Sequence, residues 1–146
     1  MQNYLDIPLM GNDRNVYCLR DFSHEKLVLY FYPKDNTPGC TLEAKDFTRL
    51  KTEFASKGFR IIGVSKDSVS SHERFCSQHN LDILLLSDPD TKLAEAFGVL
   101  KEKSMYGRTY MGIERSTFLI DEHGRITKEY RGVSATDHAI TILEEL

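Results

Sequence analysis

The hydrophobic positions alternate between short apolar runs and longer stretches with helical spacing. The run at 26–32 is almost continuously apolar and aromatic, which is typical of a strand buried on both faces. Similar runs at 59–65 and 81–86 predict two further strands. Between the first two runs, apolar residues recur at three- and four-residue steps over 39–57, which predicts a helix that Gly58 ends.

Shorter elements complete an alternating order of strands and helices. Two of them are hairpins: one has strands 4–9 and 15–19 with a turn at 11–13, and the other has strands 115–120 and 125–130 with a turn at 122–124. Two helices lie between the hairpins, one from Asp67 or Ser68 to His79 that Asn80 ends, and one over 91–97 that Gly98 ends. A last helix begins at a capping box of Ser134 and Asp137. This order predicts an α/β fold with a mixed central β-sheet flanked by helices and an N-terminal β-hairpin. The length of 146 residues and the lack of a linker-like stretch predict one domain over 1–146.

Charge and composition exclude several classes of protein. The net charge of −3 is spread along the chain, so we expect no nucleic-acid partner and no membrane-surface patch. The N-terminus lacks a basic segment followed by an apolar run, and no apolar stretch approaches the roughly 18 residues of a membrane span. Three cysteines, an odd number, favour a reducing compartment over a disulfide-stapled fold. We therefore expect a cytoplasmic protein whose thiols need a chemical explanation.

Cys40 occupies the position with the clearest chemical meaning. It follows a buried strand, a loop of turn residues at 33–39 and a Pro-Gly pair, which places it in the first turn of the predicted helix. Free backbone N–H groups and the helix dipole favour an anion there, and a thiolate is such an anion. Position alone leaves packing open as an equal alternative, because Cys40 also lies on the apolar face of the helix.

Two distant motifs resemble one family. The spacing Pro33-x3-Thr37-x2-Cys40 is that of the peroxiredoxin active-site motif, and the stretch 35–41 closely resembles the peroxiredoxin Q group, also called bacterioferritin comigratory proteins. The segment 115–121 resembles the strand that carries the active-site arginine of that family, and the stretches at 86–90 and 106–112 fit as well. The resemblance covers essentially the whole chain.

The resemblance implies a thioredoxin-like fold and the reduction of hydrogen peroxide and of organic (alkyl) hydroperoxides, with no cofactor. Cys40 would be the peroxidatic nucleophile, whose attack on the peroxide leaves a sulfenic acid. Thr37 would hydrogen-bond the peroxide, Pro33 would shield the thiolate, and the N–H groups of Gly39 and Cys40 would hold the reacting oxygens. Arg115 would supply positive charge to the thiolate and the peroxide.

Arg115 and Glu43 have alternative interpretations in the sequence. Without the resemblance, Arg115 reads as a surface arginine of a strand, paired with Glu114 or Glu43. Glu43 lies one helical turn after Cys40, where a carboxylate by itself disfavours a thiolate. We therefore expect Glu43 to pair with Arg115 and to orient it.

The sequence departs from the commonest pattern of the group at the resolving cysteine. Where a second cysteine usually follows the first by five residues, this chain has Lys45. Some members carry the resolving cysteine on the helix where Cys76 is predicted, so the resemblance implies an intramolecular Cys40–Cys76 disulfide recycled by thioredoxin or a similar dithiol. Disulfides need Cα atoms about 4.4–6.8 Å apart, so at least one helix would unwind locally. The alternative is a one-cysteine mechanism with an external thiol, and Cys18 is expected to pack as a small apolar residue.

Other functions compete with the peroxidase. His72, Cys76 and His79 fall on one helical face and could begin a zinc site, although a fourth ligand is not evident, and we expect no metal. A thioredoxin-type oxidoreductase would need a Cys-x-x-Cys pair, and a non-catalytic binding protein would not need the motif residues. The remaining histidines, His24, His123 and His138, are expected to be solvated surface residues. The group that the chain resembles leans towards monomers, so the resemblance implies a monomer, at most a weak dimer.

Overall fold

A mixed β-sheet forms the centre of the protein, seen in a computed structural model that describes residues 3–146. The strands are β1 (Leu9–Gly11), β2 (Val16–Tyr17), β3 (Lys26–Phe31), β4 (Phe59–Ser65), β5 (Leu84–Ser87), β6 (Leu100–Met105), β7 (Arg108–Ile113), β8 (Ser116–Ile120) and β9 (Ile126–Tyr130). Seven of them form one sheet in the order β2-β1-β5-β4-β3-β8-β9, and β6 pairs with β7 alone. The pairs β3–β4 and β4–β5 are parallel, and the outer strands join antiparallel. The predicted α/β class with a mixed sheet is confirmed.

Helices cover both faces of this sheet. They are α1 (Pro38–Arg49), α2 (Lys51–Ser56), α3 (Val69–His79), α4 (Lys92–Ala96) and α5 (His138–Glu145), with short 3-10 turns at Tyr4–Asp6 and Leu19–Phe22. Successive residues of β3 point to opposite faces and enter two apolar clusters. Leu29 and Phe31 pack with α4 on one face, whereas Tyr30 packs with α1, α3 and α5 on the other. Burial on both faces explains the continuous apolar run in the sequence.

The long predicted helix is two helices. The chain leaves helical geometry at Leu50, with φ −96° and ψ 5°, and re-enters it at once in α2. Leu50 and Phe54 are both buried in the same cluster as Phe47, so the apolar spacing continues across the break and conceals it. Gly58 ends the second helix as predicted, with φ +84°.

The β6–β7 hairpin is absent from the sequence prediction. Its strands are mostly exposed and carry charged residues without apolar alternation, so the pattern gave no strand signal. Tyr106 and Gly107 form its turn with φ values of 53° and 77°, as a two-residue hairpin turn requires. This hairpin supplies one side of the cleft described below.

Several predicted boundaries change in the structure. The N-terminal hairpin is shorter than predicted, because 4–6 and 19–22 form 3-10 turns, and the third strand begins at Leu84 rather than at residue 81. The predicted capping box of the last helix is wrong: Asp137 precedes the helix with φ +58°, and Ser134 Oγ accepts from Thr136 N–H instead (3.3 Å). The predicted Ser68 cap is present, since its Oγ accepts from Ser71 N–H at 3.1 Å.

Within residues 3–146, none of the helices has the length and apolar character required to cross a membrane.

Candidate active site

Cys40 lies in the first turn of α1 and is 1% exposed. The helix starts after Thr37, whose carbonyl oxygen accepts from Thr41 N–H at 2.9 Å. The N–H groups of Gly39 and Cys40 lie in the first turn, where an α-helix has no carbonyl group four residues earlier to bond them. Thr37 Oγ1 donates to the carbonyl oxygen of Lys34 at 2.9 Å, so its hydrogen is held by the loop while oxygen lone pairs stay available.

Arg115 connects the thiol to a buried carboxylate. Its Nη2 lies 3.4 Å from Cys40 Sγ, and its Nη1 donates to Glu43 Oε1 at 2.6 Å. The guanidinium reaches Cys40 from the residue just before β8, the strand next to β3 in the sheet. Arg115 is therefore not a solvated surface arginine, and of its two possible partners it pairs with Glu43 rather than Glu114.

Burial shifts the pKa values of Glu43 and Arg115. Burial raises the pKa of Glu43 to about 7 in spite of the opposing effect of Arg115. For Arg115, burial alone lowers the pKa, but Glu43 and Cys40 more than compensate and raise it above its ordinary value. Arg115 thus keeps its positive charge against the sulfur, where a thiolate or a developing negative charge is stabilised.

Gly39 makes room for the guanidinium. A Cβ atom at this position would lie 3.1 Å from Arg115 Nη2 and 3.6 Å from the Cβ of Ala135. The first distance is closer than a normal contact, so a side chain here would displace the guanidinium. The glycine therefore permits Arg115 to lie across the start of α1.

A cleft of about 360 Å³ opens beside Pro33. Its lining residues are Pro33, Lys34, Lys66, Asp67, Lys103, Tyr110, Gly112 and Ile113. Lys103 Nζ donates to the carbonyl oxygen of Ile113 at 2.7 Å, and burial together with nearby Arg115 lowers the pKa of this lysine. Sequence reasoning missed Lys103, because it lies in the hairpin that the pattern did not predict.

Cys76 lies on α3 and is half-buried against the same apolar cluster that contains Cys40. Its Sγ accepts from Asn12 Nδ2 at 3.5 Å. Burial raises the pKa of Cys76 to about 11, and the negative charge of Asp35 adds to the effect. All three cysteines are free thiols in this structure. The expected packing of Cys18 in the core is not observed: Cys18 is partly buried and belongs to neither apolar cluster of residues 3–146.

The three residues of the possible zinc site bind different partners. His72 contacts Asp35 and the carbonyl oxygen of Leu86, His79 contacts Asn36, and Cys76 contacts Asn12. Asp35, Asp67 and His72 bring donor atoms within 4.8 Å of one another. In that group the Asp67 oxygen accepts from Asp35 N–H and from the Ser65 hydroxyl.

One histidine prediction is wrong. His138 is buried rather than solvated, and its Nε2 lies 2.8 Å from Thr117 Oγ1. Burial, with a contribution from the charge of Arg115, lowers the pKa of His138 to about 4. His24 and His123 are exposed, as predicted. The start of the last helix is folded onto β8, which the local sequence could not reveal.

Comparison with known proteins gives concordant results. The family model described as AhpC/TSA family matches residues 2–129. Peroxiredoxin Bcp of Bacillus subtilis is 51% identical over 141 residues, covering 97% of this chain and 90% of that protein. A structure of Xanthomonas campestris Bacterioferritin Comigratory Protein is 44% identical with a TM-score of 0.92, covering 97% of this chain and 90% of that chain. A structure of a Xylella fastidiosa PrxQ mutant is 43% identical with a TM-score of 0.93, covering 99% and 90%.

The fold is the thioredoxin-like fold of peroxiredoxins, and the class is that of thiol-dependent peroxidases. The chain belongs to the AhpC/TSA family, and its close relatives are named Bcp or PrxQ. The family resemblance expected from the two sequence motifs is thereby confirmed.

Proposed function

We propose that the protein reduces hydrogen peroxide and alkyl hydroperoxides with Cys40 as the peroxidatic nucleophile. The observation that carries the proposal is the position of Arg115, whose guanidinium bridges the sulfur of Cys40 and the carboxylate of Glu43. A cysteine that served only packing would have no need of a partly buried cation at its sulfur. The alkyl peroxide reduction activity named for the Xanthomonas campestris relative supports the wider substrate range.

In the first step, the thiolate attacks one oxygen of the peroxide. The S–O bond forms as the O–O bond breaks, and the departing oxygen takes a proton and leaves as water or an alcohol. Arg115 and the N–H groups of Gly39 and Cys40 stabilise the negative charge on the oxygens. Because Thr37 donates its own hydrogen to Lys34, its oxygen is positioned to accept from the peroxide O–H. Pro33 lines the cleft and limits the access of water to the sulfur.

In the second step, the thiol of Cys76 attacks the sulfenic acid of Cys40, which yields a disulfide and one water. Two of the Xanthomonas campestris structures carry serine in place of cysteines that lie 36 residues apart, which is also the separation of Cys40 and Cys76. The two cysteines of this chain occupy different helices, which seldom bring Cα atoms within the range a disulfide needs, so we expect α3 or the start of α1 to open before the sulfurs meet. A thioredoxin-type dithiol then reduces the disulfide of the monomeric enzyme.

A one-cysteine mechanism is the second candidate. It is favoured by the environment of Cys76, whose raised pKa of about 11 keeps the thiol protonated near neutral pH. In that mechanism Cys76 is structural, and an external thiol resolves the sulfenic acid.

A thioredoxin-coupled peroxide assay on Cys40→Ser, Cys76→Ser and the control Cys18→Ser separates these functions. We expect no turnover with Cys40→Ser, loss of thioredoxin-dependent turnover with Cys76→Ser, and unchanged turnover with Cys18→Ser. Mass spectrometry of the peroxide-treated wild type should find a Cys40–Cys76 disulfide. Full turnover with Cys76→Ser favours the one-cysteine mechanism, and full turnover with Cys40→Ser contradicts the whole proposal.

A further inference from the structure

Two consecutive residues of the 33–39 loop hold the helix that carries Cys76. The first, Asp35, is buried and accepts three hydrogen bonds. His72 Nδ1 lies 2.7 Å from its Oδ2, Ser71 donates to the same oxygen at 2.8 Å, and Tyr32 donates to Oδ1 at 2.6 Å. Ser71 and His72 belong to the first half of α3, so Asp35 ties the catalytic loop to that end of the helix.

The second residue, Asn36, binds the other end of α3. Its Nδ2 donates to Gln78 Oε1 at 2.6 Å, and its Oδ1 lies 2.7 Å from His79 Nε2. Asn36 has φ +66°, a backbone conformation that asparagine tolerates better than most residues. Cys76 lies between the two sets of contacts, and both sets originate only a few residues before Cys40.

The contact between Asp35 and His72 is buried, and both ring nitrogens of His72 have a hydrogen-bond partner. The ring of His72 is fully buried, and its Nε2 lies 3.1 Å from the carbonyl oxygen of Leu86 on β5. That carbonyl can only accept, so Nε2 carries a hydrogen, and another hydrogen lies between Nδ1 and Asp35. Loss of the carboxylate would leave buried donors without a partner in the folded helix. The closed position of α3 therefore depends on Asp35.

We propose that Asp35, Asn36 and His72 form a clasp that positions Cys76 in the reduced enzyme and sets the rate at which α3 opens for disulfide formation. The clasp rests on the proposed resolution of Cys40 by Cys76. Its residues do not touch the reacting sulfurs. Asp35 also raises the pKa of Cys76 through its charge, whereas Asn36 carries no charge, so Asn36→Gly reports on the position of the helix alone. Since the clasp binds α3 from the loop that precedes Cys40, a movement at the start of α1 would also loosen the contacts that hold α3, the helix of Cys76.

The test separates the two steps of oxidation by hydrogen peroxide. Because the chain has no tryptophan, the thiol, sulfenic acid and disulfide forms are followed by rapid quench with an alkylating reagent and mass spectrometry. In Asp35→Asn we expect the second-order rate of Cys40 oxidation to stay within about twofold of wild type, while the first-order rate of disulfide formation rises about tenfold. In Asn36→Gly, which keeps the positive φ, we expect a rise of about threefold. The sulfinic acid formed at high peroxide should fall in both variants.

Two control variants identify the cause of an acceleration. Glu73→Gln changes another polar residue of α3, one that pairs with Arg14 at 2.6 Å and not with the loop, so disulfide formation should keep the wild-type rate. Ile142→Ala destabilises the fold from α5, outside the clasp, and should not accelerate this step selectively. An equal acceleration in either control would overturn the proposal.

The outcomes also separate the clasp from the function on which it rests. If wild type forms no Cys40–Cys76 disulfide, the proposed resolution fails. If the disulfide forms, but at the wild-type rate in Asp35→Asn and Asn36→Gly, the clasp is wrong and the resolution stands. If Asp35→Asn does not fold, the rate of disulfide formation in Asn36→Gly alone tests the clasp. This variant should fold, because the contacts of Asn36 lie at the surface.

Discussion

At the scale of single residues, the Arg115–Glu43 pair is poorly explained by stability. Glu43 is fully buried, and its second oxygen, Oε2, has no hydrogen-bond partner within residues 3–146. A buried acceptor without a partner costs about 1–3 kcal/mol, and a buried ion pair often fails to recover its desolvation energy. The peroxidatic role proposed for Cys40 accounts for the pair, because the pair fixes a cation against the sulfur.

The raised pKa of Glu43 leads to a prediction about pH. As the pH rises through about 7, Glu43 ionises and its pairing with Arg115 strengthens, so the rate of Cys40 oxidation should gain an inflection near that value. In Glu43→Gln this inflection should disappear, and the rate above pH 7 should fall roughly tenfold or more, since a charge-assisted hydrogen bond is replaced by a neutral one. Peroxide oxidation rates measured from pH 5 to 9 test this. An unchanged profile in the variant would leave Glu43 without a role.

At the scale of elements, the site depends on how closely helix α1 and strand β8 approach. Arg115 comes from the strand side, Cys40 from the helix, and the two are 75 residues apart in the chain. The space at Gly39 is narrow, because a Cβ atom there would lie 3.1 Å from Arg115 Nη2. In this chain a residue larger than glycine at position 39 would therefore crowd Arg115.

Gly39→Ala should weaken catalysis while leaving the fold stable. The added methyl group would stand 3.1 Å from Arg115 Nη2 and push the guanidinium away by a few tenths of an ångström. We expect the second-order rate with peroxide to fall about tenfold, since small displacements of a catalytic group are costly. Thermal unfolding should change little, because Gly39 has an ordinary helical backbone in α1. A variant with the wild-type rate would show that Arg115 can shift without consequence.

Prediction of elements from the sequence succeeded where burial shaped the local pattern. β3 and β4 are buried on both faces, and continuous apolar runs revealed them. Most side chains of β6 and β7 are exposed, so their residue types show no apolar pattern that would indicate two paired strands. The break between α1 and α2 was equally invisible, because both helices face the same apolar cluster.

At the scale of the whole molecule, buried titratable groups make stability depend on pH in opposing ways. His138 has a pKa lowered to about 4, below its ordinary 6.5, so the unfolded chain binds more protons between these values. Its contribution to stability is therefore lost as the pH falls from 6.5 to 4. Glu43 has a raised pKa of about 7, so its contribution is lost as the pH rises from 4.5 to 7.

A comparison of wild type with His138→Gln isolates the first of these effects. Urea unfolding at several pH values between 7 and 4 should show that wild type loses more stability than the variant over the lower part of this range. Glu43 contributes equally to the pH dependence of the free energy of unfolding in both proteins, so its contribution cancels in the difference between wild type and variant. Parallel pH curves for the two proteins would contradict the buried, neutral state of His138.

The sequence by itself determined the α/β class, the place of Cys40 in the first turn of a helix, and the motif of Pro33, Thr37 and Cys40. These features are local, since the spacing of apolar residues and a few turn residues encode them within one element and its neighbouring loop.

Only the tertiary structure decided which groups meet across the chain. It buried His138 against Thr117 and joined Asp35 to His72 across 37 positions, whereas the pairing of Glu43 with Arg115 was already expected from the sequence. These contacts arise from the packing of elements on the sheet, and a side chain that meets a distant partner leaves no periodic signal in its own segment.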